Sequence, residues 1–252
     1  MNPAEYARLE RIDQRHWFYR GKRAIVRYWL KQYIQIGVDD IFVDAGVGTG
    51  IWMESMAAQC RVIGLDDHRE SLLLARPRSQ QAAGLIQCRM DRLPLRNGCA
   101  RIITALDVLE HVANDGVGLR ELLRILHPQG ILVLTVPAHP WLWSDWDLVL
   151  HHHRRYACNN LRDLIYDAGG KLIMLRSFNT LGLPALALTR AFRRIFPIRE
   201  GKMRLENRLP PVWLNGFFYQ LMVRPACWRR WAGIMGSSYL AIIQISGKSS
   251  TN

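Results

Sequence analysis

Long apolar runs are missing from this 252-residue chain, and with them the expectation of a membrane span. The two most apolar stretches, "TLGLPALALT" from Thr180 and "VWLNGFFYQLMV" from Val212, fall short of the roughly eighteen residues a spanning helix needs. Cysteine is sparse and unpaired. Cys60, Cys88, Cys99, Cys158 and Cys227 are scattered with no C-x-x-C spacing, which argues against a disulfide framework or a zinc site and fits free thiols in a reducing compartment. Acidic residues are few, 21 against 34 Lys and Arg, leaving a net charge of +13. That excess favours an anionic partner, whether nucleic acid, an anionic lipid surface or a phosphorylated substrate, without choosing among them. The opening segment "MNPAEYARLERIDQRHWFYRGKR" mixes both charge signs and has no apolar centre, so no signal peptide is expected. The expected location is cytoplasmic, with a peripheral position on the inner face of the membrane as the further option. No repeat or low-complexity tract is present.

What the sequence does contain is an alternation. "IFVDAG", "RVIGLD", "GLIQCRM", "ARIITALD" and "GILVLTVPA" are short, continuously apolar runs, the pattern of strands buried on both faces. Amphipathic segments separate them, such as "GVGLRELLRILHPQG" with Leu119, Leu122, Leu123 and Leu126 on one face. A helix "LRDLIYDAGG" and a strand "KLIMLRSFN" follow, and a final apolar run "SSYLAIIQISG" comes late. The expected fold is α/β, a Rossmann-like doubly wound sheet with helices on both faces. The expected layout is an N-terminal helical cap (1–38), a core (39–179), a helical insertion (180–235) and a final core strand with tail (236–252). Between Thr180 and Gly233 nine Arg and one Lys face two Glu, so +8 of the total charge lies there.

The densest chemical signal is "VDAGVGTG". Gly46, Gly48 and Gly50 follow a strand and precede a helix, where glycine permits positive φ and close approach of a ligand to the main chain. A dinucleotide fingerprint would read G-x-G-x-x-G. Here the spacing is G-x-G-x-G with Asp44 two residues ahead, which repels a pyrophosphate and suits an amino-acid ammonium. Asp66 closes the next strand, where a carboxylate can accept both hydroxyls of a ribose. These features, together with "VIGLD", "TALDVLEHV" and "LLRILHPQGILVLTVPA", resemble class I S-adenosylmethionine-dependent methyltransferases, in particular the bacterial group similar to ubiquinone-biosynthesis enzymes. The resemblance covers roughly residues 40–180 and the closing strand. It implies a seven-stranded sheet whose last strand is antiparallel, S-adenosyl-L-methionine as cofactor, and methyl transfer to O, N, C or S, with O or N favoured. Asp44 and the Gly46, Gly48 and Gly50 turn would hold the methionine portion, Asp66 the ribose, and Asp107 would lie near the sulfonium. An acid usually stands where this chain has Arg89, so the adenine contact falls to Asp91 or to the backbone around Met90.

Several residues remain open between chemistry and packing. Asp107, Glu110 and His111 are spaced to converge on one face of a helix, where they could bind a divalent metal or offer His111 as a general base; His111 packed beneath the cofactor is the alternative. No metal is assigned. His139 is a second candidate base. Trp141, Trp143 and Trp146 could wall an apolar pocket or belong to the core. In "HHHRRY" one or two histidines, taken here as including His153, face the substrate together with Arg155 and Tyr156. Arg20 is a candidate for the cofactor carboxylate, with Trp17 and Tyr19 as a lid. The basic, aromatic insertion reads as an interfacial surface over 180–233, a substrate cap or a dimer face. The acceptor is expected to be a small or a lipid- or glycan-linked molecule; nucleic acid is disfavoured because no binding module is legible. The competing readings are a non-catalytic cofactor-binding or membrane-associated partner protein and a nicotinamide-dependent oxidoreductase.

Overall fold

The computed structural model describes residues 10, 12–195, 209–228 and 235–246, and the statements below concern these. Seven strands form one sheet: β1 (Ile41–Ala45), β2 (Arg61–Asp66), β3 (Gly84–Gln87), β4 (Ala100–Leu106), β5 (Leu126–Pro137), β6 (Gly170–Phe178) and β7 (Ser238–Ile245). Their spatial order is β3-β2-β1-β4-β5-β7-β6. Strands β1 to β5 pair in parallel, and β7 lies antiparallel between β5 and β6. The chain thus leaves β1 in one direction and returns to β4 on its other side. That reversal opens a crevice at the carboxyl ends of the two strands, where ligands bind in such sheets.

Why these segments become strands is visible in where successive residues go. Val43, Ile103, Leu132 and Leu134 pack on one face with Leu119, Leu122, Leu161 and Ile165. Their neighbours Phe42, Ile102, Ile131 and Val133 pack on the other with Ile25, Trp29, Met53 and Met56. Period-two alternation therefore buries every residue, which is why the runs are apolar throughout. The covering helices are α1 (Trp17–Tyr33), α2 (Ile51–Ala57), α3 (Arg69–Ala75), α4 (Asp115–Ile125), α5 (Asp145–Val149), α6 (Cys158–Asp167), α7 (Leu183–Ile195) and α8 (Val212–Cys227).

All seven expected strands are present. The "DVLEH" segment differs from expectation: only Leu109–His111 is helical, as a single tight turn, and Asp107 precedes it with φ +56°. The three residues therefore do not share a helix face. Of the insertion, α7 and α8 are described; 196–208 and 229–234 lie outside the described residues. Helix α8 folds back onto α1. Trp17 N donates to Asn215 Oδ1 (2.8 Å), Trp29 Nε1 donates to Ala226 O (2.9 Å), and a Cβ on Gly21 would stand 3.0 Å from Met222 Sδ. The N-terminal cap and the insertion thus form a single roof beside the sheet.

Candidate active site

The glycine turn divides into two structural glycines and one open one. Gly46 (φ +77°) would drive a Cβ into the Val108 side chain, and Gly50 (φ +78°) would bring one to 2.9 Å from Ala75. Gly48 (φ +53°) would meet nothing closer than the Gly46 carbonyl at 4.0 Å. Its free side faces the crevice, the kind of opening in which a ligand can lie against the backbone. Gly48 N donates to Asp66 Oδ2 (3.1 Å) and His68 N to Asp66 Oδ1 (3.0 Å), which fixes this carboxylate at the end of β2. Burial pushes the Asp66 carboxyl up, and the two backbone donors oppose that rise.

Asp44 is more extreme. Trp52 Nε1 donates to Thr104 Oγ1 (3.1 Å), and that hydroxyl donates to Asp44 Oδ1 (3.0 Å). Burial nevertheless raises Asp44 to about 8, with the Thr104 hydrogen bond opposing and Asp66 and Asp13 adding to the rise. A carboxyl in this state ionises when a cation arrives beside it. The residues thus fit S-adenosylmethionine: an ammonium partner at Asp44, open backbone at Gly48 and a ribose acceptor at Asp66.

These groups line one cavity of ≈ 1440 Å³. The volume exceeds the ~300–1,000 Å³ of a usual small-molecule pocket and leaves room for a second molecule. Asp107 sits in its wall. Lys22 Nζ donates to its Oδ2 (2.5 Å) and Thr135 Oγ1 to its Oδ1 (2.7 Å). Burial works against this carboxylate, but Lys22 and both hydrogen bonds outweigh it and hold it below the usual range. The cavity also has an apolar lining, from Leu186 of α7 and from Phe218, Leu221 and Met222 of α8.

A polar cluster of Glu110, His111 and His152 lines the same cavity. Glu110 is fully buried, both its carboxyl oxygens lack a hydrogen-bond partner, and burial pushes it well above the usual range. His111 is driven down to about 4, first by burial and then by His152. The two imidazole centroids are 4.8 Å apart, edge to face. One ligand atom from each of Glu110, His111 and His152 falls within 4.8 Å of the others, a spacing that a metal ion can use. Asp107 is outside that group, because Lys22 and Thr135 occupy its oxygens.

The structure gathers some of the residues singled out from sequence and separates others. Asp44, Gly46, Gly48, Asp66, Met90, Asp91, Asp107, His111, His153 and Arg155 all line the cavity. Both Asp91 oxygens are taken by Arg89 (2.6 and 3.0 Å), which weakens the case for an adenine contact there. Gly50 is not in the wall: it caps α2 and packs on Ala75. Arg20 is exposed, its guanidinium 5.1 Å over the Tyr219 ring, because it stands about 200° around the helix from Lys22. His139 lies outside the cavity, packed against Trp141 and Tyr239. Trp141 is exposed and Trp143 half-buried away from the wall, whereas Trp146 lines it. Tyr156 belongs to the core and donates to Asp115 Oδ2 (3.0 Å). Sequence reasoning passed over Asp13, which joins Thr49 to Arg23, and also Lys22, Asp147 and His152. Lys22 was detectable, since it stands on the apolar stripe of Ile25, Val26 and Trp29.

Residues 43–134 match the methyltransferase domain family. The chain is 26% identical over 156 residues to a ubiquinone biosynthesis O-methyltransferase of Sodalis glossinidius, covering 57% of this chain and 63% of that one. It is 25% identical over 130 residues to a Mycobacterium tuberculosis protein named a probable S-adenosylmethionine-dependent methyltransferase, covering 50% and 47%. The chain thus spans between about half and two thirds of the length of these curated relatives. Among solved structures, geranyl diphosphate C-methyltransferase of Streptomyces coelicolor has the same fold, with a TM-score of 0.56 at 16% identity over 86% of this chain and 76% of that one.

Proposed function

We propose that the chain, whose residues 43–134 match a methyltransferase domain family, is an S-adenosylmethionine-dependent methyltransferase that methylates a hydroxyl of an apolar or lipid-linked acceptor. The observation that carries this reading is the cavity with two unlike linings. One is carboxylate and open backbone, from Asp44, Gly48 and Asp66; the other is apolar, from Leu186, Phe218, Leu221 and Met222. The choice of a hydroxyl draws on the relative named an O-methyltransferase and on the paired imidazoles that line the same cavity. When bound, the donor supplies an electrophilic methyl group on a sulfonium. The residues' task is alignment, which can contribute on the order of 7–11 kcal/mol. Asp44 orients the ammonium, Asp66 the ribose, and the roof of α1 and α8 keeps water from the junction.

The test is calorimetry with S-adenosylhomocysteine, followed by transfer of label from S-adenosylmethionine to phenols and catechols bearing long alkyl chains in detergent micelles. Micromolar binding that weakens at least tenfold in Asp66→Ala, about 1.4 kcal/mol, is the expected result. A wild type that does not bind S-adenosylhomocysteine overturns the reading.

Access for such an acceptor is proposed to come from an anionic bilayer. Leu188 on α7 (72% exposed) and Val212, Trp213 and Phe217 on α8 (90, 73 and 55%) stand exposed on the two helices that line the apolar wall. No helix among the described residues is long and apolar enough to cross a membrane. Exposed aromatic and aliphatic side chains set in a segment of charge +8 suit contact with the surface instead. Vesicles of phosphatidylglycerol should sediment the protein and vesicles of phosphatidylcholine should not. Trp213→Ser with Phe217→Ser should weaken the partition at least tenfold while leaving S-adenosylhomocysteine binding intact.

A further inference from the structure

The short helix α5 holds a carboxylate that the cofactor half of the site does not use. Asp147 is fully buried and accepts from Ser144 N (2.9 Å) in a capping box. Its Oδ1 also accepts from Arg155 Nε (2.7 Å) and lies 3.0 Å from His152 Nδ1; its Oδ2 lies 3.6 Å from an Arg190 nitrogen. Burial opposes the charge, but His152, Arg155 and Arg190 outweigh it and bring Asp147 down to about 2. A permanent carboxylate can only accept a hydrogen bond. The contact therefore fixes His152 as the Nδ1–H tautomer and leaves Nε2 with its lone pair free.

His152 itself lines the cavity. The neighbour of Nε2 is Glu110 Oε1 at 4.0 Å, on a carboxyl that burial pushes well above the usual range. His111 stands edge-on beside His152, and burial and this neighbour bring it down to about 4 against the opposing pull of Asp107. Charged groups near His152 include Asp107, already paired with Lys22, and the two guanidiniums on Asp147; the carboxyl groups of Asp44 and Asp66 line the same cavity. Of the adjoining pair His111 and His152, His152 is the one with a ring nitrogen 3.0 Å from the buried Asp147 carboxylate.

We propose that His152, oriented by Asp147, is the general base that removes the acceptor's proton. The inference rests on the hydroxyl-methylation reading above. In the step, the acceptor oxygen bonds to the methyl carbon while the carbon–sulfur bond breaks and its electron pair stays on sulfur. The hydroxyl proton passes to His152 Nε2. The positive charge lost by the sulfonium thus reappears on an imidazolium facing Asp147, and His152 later releases the proton to water. A positioned base of this kind contributes typically 10²–10⁴ in rate.

The experiment uses the full chain with S-adenosylhomocysteine bound for spectroscopy and with the best alkylphenol of the panel for rates. Nitrogen NMR of labelled histidine, assigned by loss of one signal in His152→Gln, should show the Nδ1–H tautomer in the wild type and lose that preference in Asp147→Asn. His152→Gln should lower kcat at least 100-fold with KM changed less than threefold. Asp147→Asn should lower kcat at least tenfold and move the acid limb of the pH profile to lower pH, because the carboxylate that stabilises the protonated ring is gone. Retained binding of S-adenosylhomocysteine shows that each variant is folded. A wild-type Nε2–H tautomer, or a kcat within threefold in His152→Gln, overturns the proposal. So does turnover abolished by EDTA and restored by Mn²⁺, which would make His152 a metal ligand. A wild type that binds S-adenosylhomocysteine but methylates no hydroxyl in the panel overturns the hydroxyl reading itself, and this role falls with it.

Discussion

Asp44→Asn is expected to weaken S-adenosylhomocysteine binding at least 100-fold and, in the same protein, to raise thermal stability. The two effects have one origin. Burial raises Asp44 to about 8, so the folded chain at pH 7 holds a proton that the unfolded chain, titrating near 4, has released. A carboxyl raised on folding stabilises least at high pH: its contribution declines as pH rises from about 4 and levels off above about 8. At pH 7 the burden is on the order of 2–4 kcal/mol. Asparagine keeps the acceptor oxygen for Thr104 Oγ1 without that burden. Scanning fluorimetry at pH 7.5 should therefore find the Asp44→Asn variant melting at least ~5 °C higher, with the gap closing at pH 4.5. The ammonium, however, loses its countercharge, at about 2.7 kcal/mol or more. Wild-type affinity should rise up to about tenfold per pH unit below pH 8, and calorimetry in buffers of different ionisation enthalpy should find about one proton released at pH 7. Unchanged affinity in the variant would remove Asp44 from the donor site.

The parts of this site that were legible in sequence are those tied to strand ends. An apolar run terminated by an acid, as in "IFVD" and "VIGLD", places the acid at the carboxyl edge of the sheet whatever the loops do, so Asp44 and Asp66 were found. Residues carried by loops were not placed as securely. In "HHHRRY" no periodicity tells that all three histidines meet the cavity or which of them meets Asp147, because His151 takes φ +57° and a single bridge from Tyr156 to Ala138 sets the phase. That bridge sends Tyr156 into the core and Arg155 to the cavity, and leaves His152 beside Asp147. Trp141 and Trp146 separate for a similar reason: a tight turn at Pro140–Leu142 and the Ser144 cap rotate the chain between them. Arg20 and Lys22 show the opposite failure. The chemistry of arginine drew attention to Arg20, while the stripe of buried positions on α1 already pointed to Lys22.

That lysine carries the second large effect. Lys22→Met should destabilise the protein by about 3–5 kcal/mol at pH 7.5, the usual consequence of removing one partner of a buried pair. Lys22 Nζ and Asp107 Oδ2 are 2.5 Å apart, with the lysine side chain 10% and the aspartate side chain 26% exposed. In the wild type Asp107 is held below its usual range, so its contribution is complete above about pH 4 and is lost only on further acidification. In the variant, burial is opposed mainly by the Thr135 hydrogen bond, and the carboxyl rises instead. The sign of the dependence reverses: the variant loses stability as pH climbs from about 4, so the gap between the two proteins is smallest in acid and widest at pH 7.5. Denaturant titrations at pH 4.5 and 7.5 measure it directly. Adding Asp107→Asn to the variant removes the stranded charge and should recover more than half of the loss, whereas Asp107→Asn alone strands the ammonium. A pair worth under 1 kcal/mol at pH 7.5, or one whose single substitutions simply add, would mean that α1 is held by its apolar stripe alone. The expected coupling means instead that the roof is fastened to the end of β4 by this ion pair, at a residue whose backbone is already strained at φ +56°.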